Sequence, residues 1–121
     1  MTRGFQWDED EEQITLARWI DRRRPELLWT HPPNGGLRRV RQAAAFKRMG
    51  VKAGVPDILI FTPPPNTVVP GVAIELKREV GGTMSAAQRQ WGIRLTELGW
   101  LHSVQHGATD AIKWLEELGY Q

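Results

Sequence analysis

The chain has 121 residues, no cysteine and a formal net charge of +2. This length predicts one domain, residues 1–121, that buries its own core, and the lack of cysteine excludes disulfides and thiolate-bound zinc. No uncharged apolar run approaches the roughly 18 residues of a membrane span. Since the first residues also lack the apolar core of a signal peptide, we expect a cytoplasmic protein with no membrane partner.

The charges are distributed unevenly along the chain. Asp8 to Glu12 are five consecutive acids, whereas residues 18–52 hold ten Lys or Arg against Asp21 and Glu26. This local excess of eight positive charges favours a polyanionic partner. A solvated basic face would give the same pattern, so charge alone leaves both interpretations open.

The first predicted helix runs from Asp8 to Arg23. Its apolar residues recur every three or four positions, and its leading acids suit the positive end of the helix dipole. Most of these acids are interpreted as capping charge. Glu12 differs, because it lies on the inward stripe four residues before Leu16, where a carboxylate is unexpected. We therefore predict that Glu12 serves a functional site.

A short strand is predicted over Glu26–His31, and it ends at Pro32-Pro33. After a glycine turn, a second helix is predicted from Leu37 to about Met49. This helix is rich in Arg and Lys and contains no acid, a composition suited to phosphate contacts. The predicted nucleic-acid contacts in this region are Arg38, Arg39, Arg41, Lys47, Arg48 and Lys52.

Two apolar, β-branched runs, Gly54–Phe61 and Gly71–Lys77, predict a hairpin with a loop from Thr62 to about Pro70. Side chains of the second strand alternate between two faces. One face is apolar, with Val72, Ile74 and Leu76, and the other carries Ala73, Glu75 and Lys77. Asp57 opens the first strand and needs a partner to offset its desolvation, which a divalent cation would supply.

Ser85 is predicted to cap a third helix whose inward face includes Gln88 and Leu98. A fourth strand is predicted over Trp100–Val104, and a last amphipathic helix over Thr109–Leu118. The order α-β-α-β-β-α-β-α predicts a mixed α/β domain, with a central sheet flanked by helices.

Five residues are candidates for one site: Glu12, Asp57, Glu75, Lys77 and Gln88. Mg²⁺ prefers oxygen ligands, and two strand carboxylates with a third from a packed helix would suit it, with water completing the octahedron. Lys77 would orient or deprotonate an attacking water, or stabilise developing phosphate charge. This is a phosphodiesterase layout. An ordinary surface pair of Glu75 and Lys77 is the alternative.

The chain resembles the VRR-NUC (virus-type replication-repair nuclease) domain of the PD-(D/E)XK nuclease superfamily. The resemblance extends from about Glu12 to Val104, and Pro33-Asn-Gly-Gly36 is similar to an early motif of the family. The main matching motifs are Gly54-Val-Pro-Asp57, Ala73-Ile-Glu-Leu-Lys77, Gly81-Gly82, Ser85-Ala-Ala-Gln88 and Leu98-Gly99.

This resemblance implies a restriction-endonuclease-like core and cleavage of DNA that depends on Mg²⁺ or Mn²⁺, with no nucleotide cofactor. It assigns Asp57, Glu75 and Lys77 to the active site. The implied metal ligands are Glu12, Asp57, Glu75 and the backbone carbonyl of Leu76.

Two further residues correspond to family positions on helices. Glu12 corresponds to the acid of the first helix, with Glu9 and Glu11 as alternatives, and Gln88 corresponds to the glutamine on the helix after the lysine. Asn34, in the early motif, is added to the expected DNA contacts.

Stand-alone members of the family resemble Holliday-junction resolvases in size and often act as dimers on branched DNA. A short chain would gain a second active site and a wider basic surface by pairing. We therefore expect a homodimer that acts on branched or nicked DNA in replication, repair or recombination. A non-catalytic DNA-binding module with the same fold is the alternative, and the enzyme is favoured by buried acids beside a lysine.

Overall fold

The computed structural model describes residues 8–33 and 40–120, except the side chains of Val40 and Arg41. Within these residues, the elements are α1 (Glu9–Arg23), β1 (Trp29–Thr30), α2 (Val40–Arg48), β2 (Ile58–Ile60), β3 (Val72–Lys77), α3 (Ala86–Glu97), β4 (Leu101–His106) and α4 (Ala108–Glu117). The predicted element order is confirmed. None of these described helices is long and apolar enough to cross a membrane.

The strands of the described residues form one mixed sheet in the order β1-β2-β3-β4. β2 and β3 pair antiparallel, with Ile58 opposite Ile74, so the predicted hairpin is confirmed. β3 and β4 pair parallel, with Lys77 opposite His106. Parallel neighbours need a crossover connection, and α3 provides it. The predicted mixed α/β class is confirmed.

β3 is buried along its whole length, and its two faces have different neighbours. Val72, Ile74 and Leu76 belong to the hydrophobic core, to which α1 contributes Leu16 and α4 contributes Leu115. Full burial of one such side chain stabilises the fold by about 1.5–3 kcal/mol. The alternate residues of β3 face α3 instead, and they carry the polar groups.

The N-terminus of α1 is fixed by a capping box. Asp8 Oδ1 accepts a hydrogen bond from Glu11 N, and Glu11 Oε1 accepts one from Asp8 N. Each side chain thereby satisfies a backbone donor that the helix leaves unpaired. The capping role predicted for most of the leading acids is therefore observed for these two.

Leu98 does not lie on the inward face of α3, as the periodicity predicts. Its side chain is 70% exposed. The helix ends at Glu97, and Gly99 adopts a positive φ of 95° just beyond it. The prediction was wrong because Leu98 is the C-cap of α3, beyond its last helical residue, where helical spacing no longer decides which side chains are buried.

Candidate active site

Asp57 precedes β2, and its side chain extends across to β3. Its Oδ2 accepts a hydrogen bond of 2.7 Å from Leu76 N. The β2–β3 pairing ends at Ile58 and Ile74, so the carboxylate takes a backbone donor beyond the last paired residue. A charge-assisted bond of this kind fixes the carboxylate next to the end of β3 that carries Glu75.

His31 holds the main chain of Asp57 from the neighbouring strand. Its Nδ1 donates a hydrogen bond of 2.6 Å to the Asp57 carbonyl oxygen. His31 was not among the site residues predicted from the sequence, because 26 residues separate it from Asp57. The signal that would have found it is strand pairing: Thr30 lies opposite Leu59, which brings the residue after β1 beside the residue before β2.

Gly54 lets the loop before Asp57 approach α3. Its φ is +89°, and a Cβ at this position would lie 2.5 Å from the backbone carbonyl carbon of Ala87. No side chain fits against backbone at that distance, so the glycine of the Gly-Val-Pro-Asp motif is required by packing. It holds Asp57 close to the helix that carries Gln88.

Gln88 connects the two charged residues of β3. Its Nε2 donates to Glu75 Oε2 at 2.9 Å, and its Oε1 accepts from Lys77 Nζ at 3.1 Å. An ammonium only donates and a carboxylate only accepts, so a single amide orientation satisfies both. Lys77 Nζ also lies 3.8 Å from Glu75 Oε2. The structure thus brings together Glu75, Lys77 and Gln88.

The N-terminus of α3 positions Gln88 through a second capping box. Ser85 is the N-cap as predicted, and its Oγ accepts from Gln88 N at 3.0 Å. In return, Gln88 Oε1 accepts from Ser85 N at 2.9 Å. The same amide oxygen therefore serves the helix cap and Lys77, which ties the orientation of Lys77 to the start of the helix.

The carboxyl group of Glu75 lies in an environment that disfavours its charged form. Its side chain is buried, and its Oε1 has no hydrogen-bond partner among the described residues. Burial, followed by the negative charge of the neighbouring Asp57, raises the pKa of Glu75 to about 8. Lys77 opposes this shift and Glu9 adds to it.

A divalent cation would relieve both features of Glu75, because it neutralises neighbouring carboxylates and occupies a free oxygen. No group of three or more His, Asp or Glu in the described residues is placed to hold a metal ion. Mg²⁺, however, is commonly bound by one or two carboxylates together with water and substrate phosphate. Asp57 and Glu75 fit that mode. Binding of the cation by the backbone carbonyl of Leu76, which the family resemblance implies, remains a prediction.

Glu12 is buried, and its carboxylate bonds to the N-terminus of α4. Its Oε1 accepts from Ala108 N, at the first residue of α4, at 2.7 Å. Gly107 is the N-cap of α4 and has no side chain to do this, so Glu12 caps the helix from α1. The exposed Glu9 is the first-helix acid whose charge contributes to the pKa of Glu75. The choice between Glu12 and Glu9 as the first-helix acid of the active site remains a prediction.

Comparisons with known proteins agree with these motifs. A family model described as the VRR-NUC domain matches residues 7–109. The chain belongs to the VRR-NUC family. A solved structure described as a VRR_NUC domain protein is 28% identical to this chain and superposes with a TM-score of 0.76, covering 98% of this chain and 93% of the other. No match was found among curated proteins.

The VRR-NUC family is a family of nucleases, and the solved relative confirms the restriction-endonuclease-like fold. The DNA contacts predicted for this VRR-NUC chain lie around α2. Those with described side chains, Lys47, Arg48 and Lys52, are exposed. The others, Asn34, Arg38 and Arg39, lie outside the described residues, as does the side chain of Arg41. Contact with DNA at all of these positions stays a prediction.

Proposed function

We propose that this VRR-NUC domain is an endodeoxyribonuclease that depends on Mg²⁺ or Mn²⁺ and hydrolyses phosphodiester bonds. The observation that carries the proposal is the environment of Glu75: a buried carboxylate beside Asp57, with one oxygen unpartnered in the described part of the chain and the other bridged to Lys77 by Gln88. Burying such groups costs stability. A functional site accounts for that cost, because catalytic sites are where pKa values are commonly shifted in this way.

Each residue of the site has a separate task in this proposal. The cation, when bound, supplies positive charge that stabilises the reacting phosphate. Asp57 and Glu75 present the carboxylate oxygens for it. Gln88 bonds to both Glu75 and Lys77 and so fixes the positions of both side chains. Lys77 has three donors, of which one is bonded to Gln88, and it is placed to orient the attacking water or to stabilise charge that develops on the phosphate.

We further propose that the substrate is branched or nicked duplex DNA and that the protein works as a homodimer in replication, repair or recombination. Resolution of a junction needs two cuts, and a two-fold pair presents two active sites. The exposed Lys47, Arg48 and Lys52 support a DNA-facing surface at α2 and just after it. The cytoplasmic location of the protein is a separate prediction.

A cleavage assay tests the proposed function. Four-way junction, flap, single-stranded and linear duplex DNA are incubated with Mg²⁺, Mn²⁺ or EDTA. We expect cleavage with either metal, no cleavage with EDTA, and faster cleavage of the branched forms. We expect Asp57→Ala to abolish cleavage while it keeps its fold and its DNA binding, because it removes one charged ligand and relieves the repulsion with Glu75.

Two results of this assay would contradict the proposal. Cleavage by Asp57→Ala at the wild-type rate would remove the assigned site. Binding of DNA by the wild type without cleavage under either metal would favour a non-catalytic DNA-binding module. Sedimentation tests the homodimer separately. A wild-type protein that sediments as a monomer, both free and on a junction, would contradict the proposed homodimer.

A further inference from the structure

A groove between α1 and α4 contains arginine side chains that the proposed chemistry does not use. It encloses about 290 Å³. Its lining residues are Thr15, Arg18, Trp19, Arg22, Arg23 and Ile112. Because α1 packs on the apolar face of β3, this groove opens on the side of the sheet opposite to α3.

The three arginines of the groove are exposed, and no carboxylate of the described residues lies within ion-pair distance of them. Asp21 is the acid next to Arg22 in sequence, and it accepts a hydrogen bond of 2.9 Å from Trp29 Nε1, which turns it towards β1. The groove therefore keeps an excess of positive charge. An anion with several charges is the ligand that complements it.

The floor of the groove is apolar. Trp19 and Ile112 are partly buried and pack against the hydrophobic core. A small inorganic anion would use only the guanidinium groups, whereas a nucleic acid strand offers phosphates to the arginines and a sugar or base to the apolar floor. The combination of arginines with an aromatic side chain thus favours a nucleic acid strand.

The span of α1 gives a scale for the separation between this groove and the active site. Glu9, whose charge acts on Glu75, begins the helix, and Arg22 follows 13 positions later. At a rise of 1.5 Å per residue, Glu9 and Arg22 lie about 20 Å apart along the helix axis. This distance corresponds to about six nucleotides of one strand of duplex DNA, at about 3.4 Å each.

We propose that the groove binds the backbone of a DNA arm about six nucleotides from the scissile phosphate. This inference rests on the proposed function, since it takes the scissile phosphate to lie at Asp57 and Glu75. Arg18 and Arg22 are one helical turn apart on the same face, so they contact neighbouring phosphates, and Trp19 between them contacts a sugar or base.

Binding measurements on DNA of graded length test the groove. Fluorescence anisotropy in EDTA reports affinity without cleavage, for nicked and branched DNA whose arms grow from about three to about twelve nucleotides. Wild type is expected to gain affinity once an arm exceeds about six nucleotides. The double variant Arg18→Ala/Arg22→Ala is expected to lose this gain, and on long arms its salt slope falls by about two, close to one for each lost phosphate contact.

The controls separate a local contact from a loss of net charge. Arg94→Ala removes an exposed arginine of α3 on the other side of the sheet, and it should match wild type at every arm length. Arg18→Ala alone should lower the salt slope on long arms by about one. Arg18→Gln/Arg22→Gln should behave as the alanine pair, which excludes an effect of helix propensity.

The outcomes distinguish this inference from the proposed function. An equal gain in affinity with arm length in wild type and in the double variant would contradict DNA binding by the groove. It would leave the nuclease proposal unaffected. A gain that depends on the groove, in a protein that cuts no DNA with either metal, would support the groove and overturn the nuclease. Failure of the wild type to bind DNA of any length would overturn both.

Discussion

Ile74 and Glu75 are neighbours in sequence and equally buried, yet they lie on opposite faces of β3. Ile74 packs in the hydrophobic core, where burial of its side chain stabilises the fold. Glu75 faces α3, where it meets Asp57, Lys77 and Gln88, and where its charged form is destabilised by burial. One strand thus supplies both the core and the candidate site, and the two contributions are separable by experiment.

Lys77→Ala is the change on the polar face with the largest expected effect after loss of a carboxylate. Charge stabilisation of a transition state by one donor is worth about a hundredfold to a thousandfold in rate. We expect a loss of this size in single-turnover cleavage, with metal and DNA binding retained. Lys77→Arg should not restore the rate, because a planar guanidinium is larger and does not act as a base.

The measurement is a rapid-quench experiment at saturating protein. Asp57→Ala is the matched control, since it should lose cleavage together with metal binding. An unchanged single-turnover rate in Lys77→Ala would show that the lysine acts only in packing against Gln88.

Glu12 is a second buried acid, and its carboxylate has a structural partner in Ala108 N. Glu12→Ala removes the cap of α4 and should cost about 0.5–2 kcal/mol of stability. Glu12→Gln keeps an acceptor oxygen for Ala108 N and should recover most of it. Metal affinity, measured by calorimetric titration with Mn²⁺, should change little in Glu12→Gln and fall in Glu9→Gln. Loss of Mn²⁺ binding in Glu12→Gln would instead establish Glu12 as the ligand that the motif predicts.

The residues that could be predicted from sequence are those whose relations are local. Glu75 and Lys77 share a face because strands alternate, and Gln88 follows Ser85 at the spacing of a capping box. Each of these relations spans three residues or fewer. In the structure, the Gln88 side chain bonds to both Glu75 and Lys77.

The relations that escaped prediction depend on long-range pairing. His31 bonds the Asp57 carbonyl across 26 residues, and Glu12 bonds Ala108 across 96. A burial pattern predicted that Glu12 points inward, but it could not show that α4 begins there. Likewise, β1 is two residues long instead of six, because its pairing with β2 and not its own composition sets its length.

We propose that the polar face of β3 is built to hold a cation, and the pH dependence of unfolding tests this proposal. The pKa of Glu75 rises from 4.5 to about 8 in the folded protein. The folded state therefore binds an extra proton between these values. The stability that this proton confers is complete below about pH 4.5 and is lost as the pH rises through about 8.

We propose urea unfolding of wild type and Glu75→Gln from pH 4.5 to about 9, without metal and with Mn²⁺. Without metal, wild type should lose stability relative to Glu75→Gln as the pH rises, because glutamine stays neutral. Mn²⁺ should restore wild type at high pH and leave Glu75→Gln almost unchanged, since a ligand stabilises only the state that binds it. Ile74→Val, the control on the apolar face, should lower stability by about 0.5–1.5 kcal/mol at every pH and keep the response to Mn²⁺. Parallel pH profiles of wild type and Glu75→Gln, with equal protection by Mn²⁺, would contradict the claim.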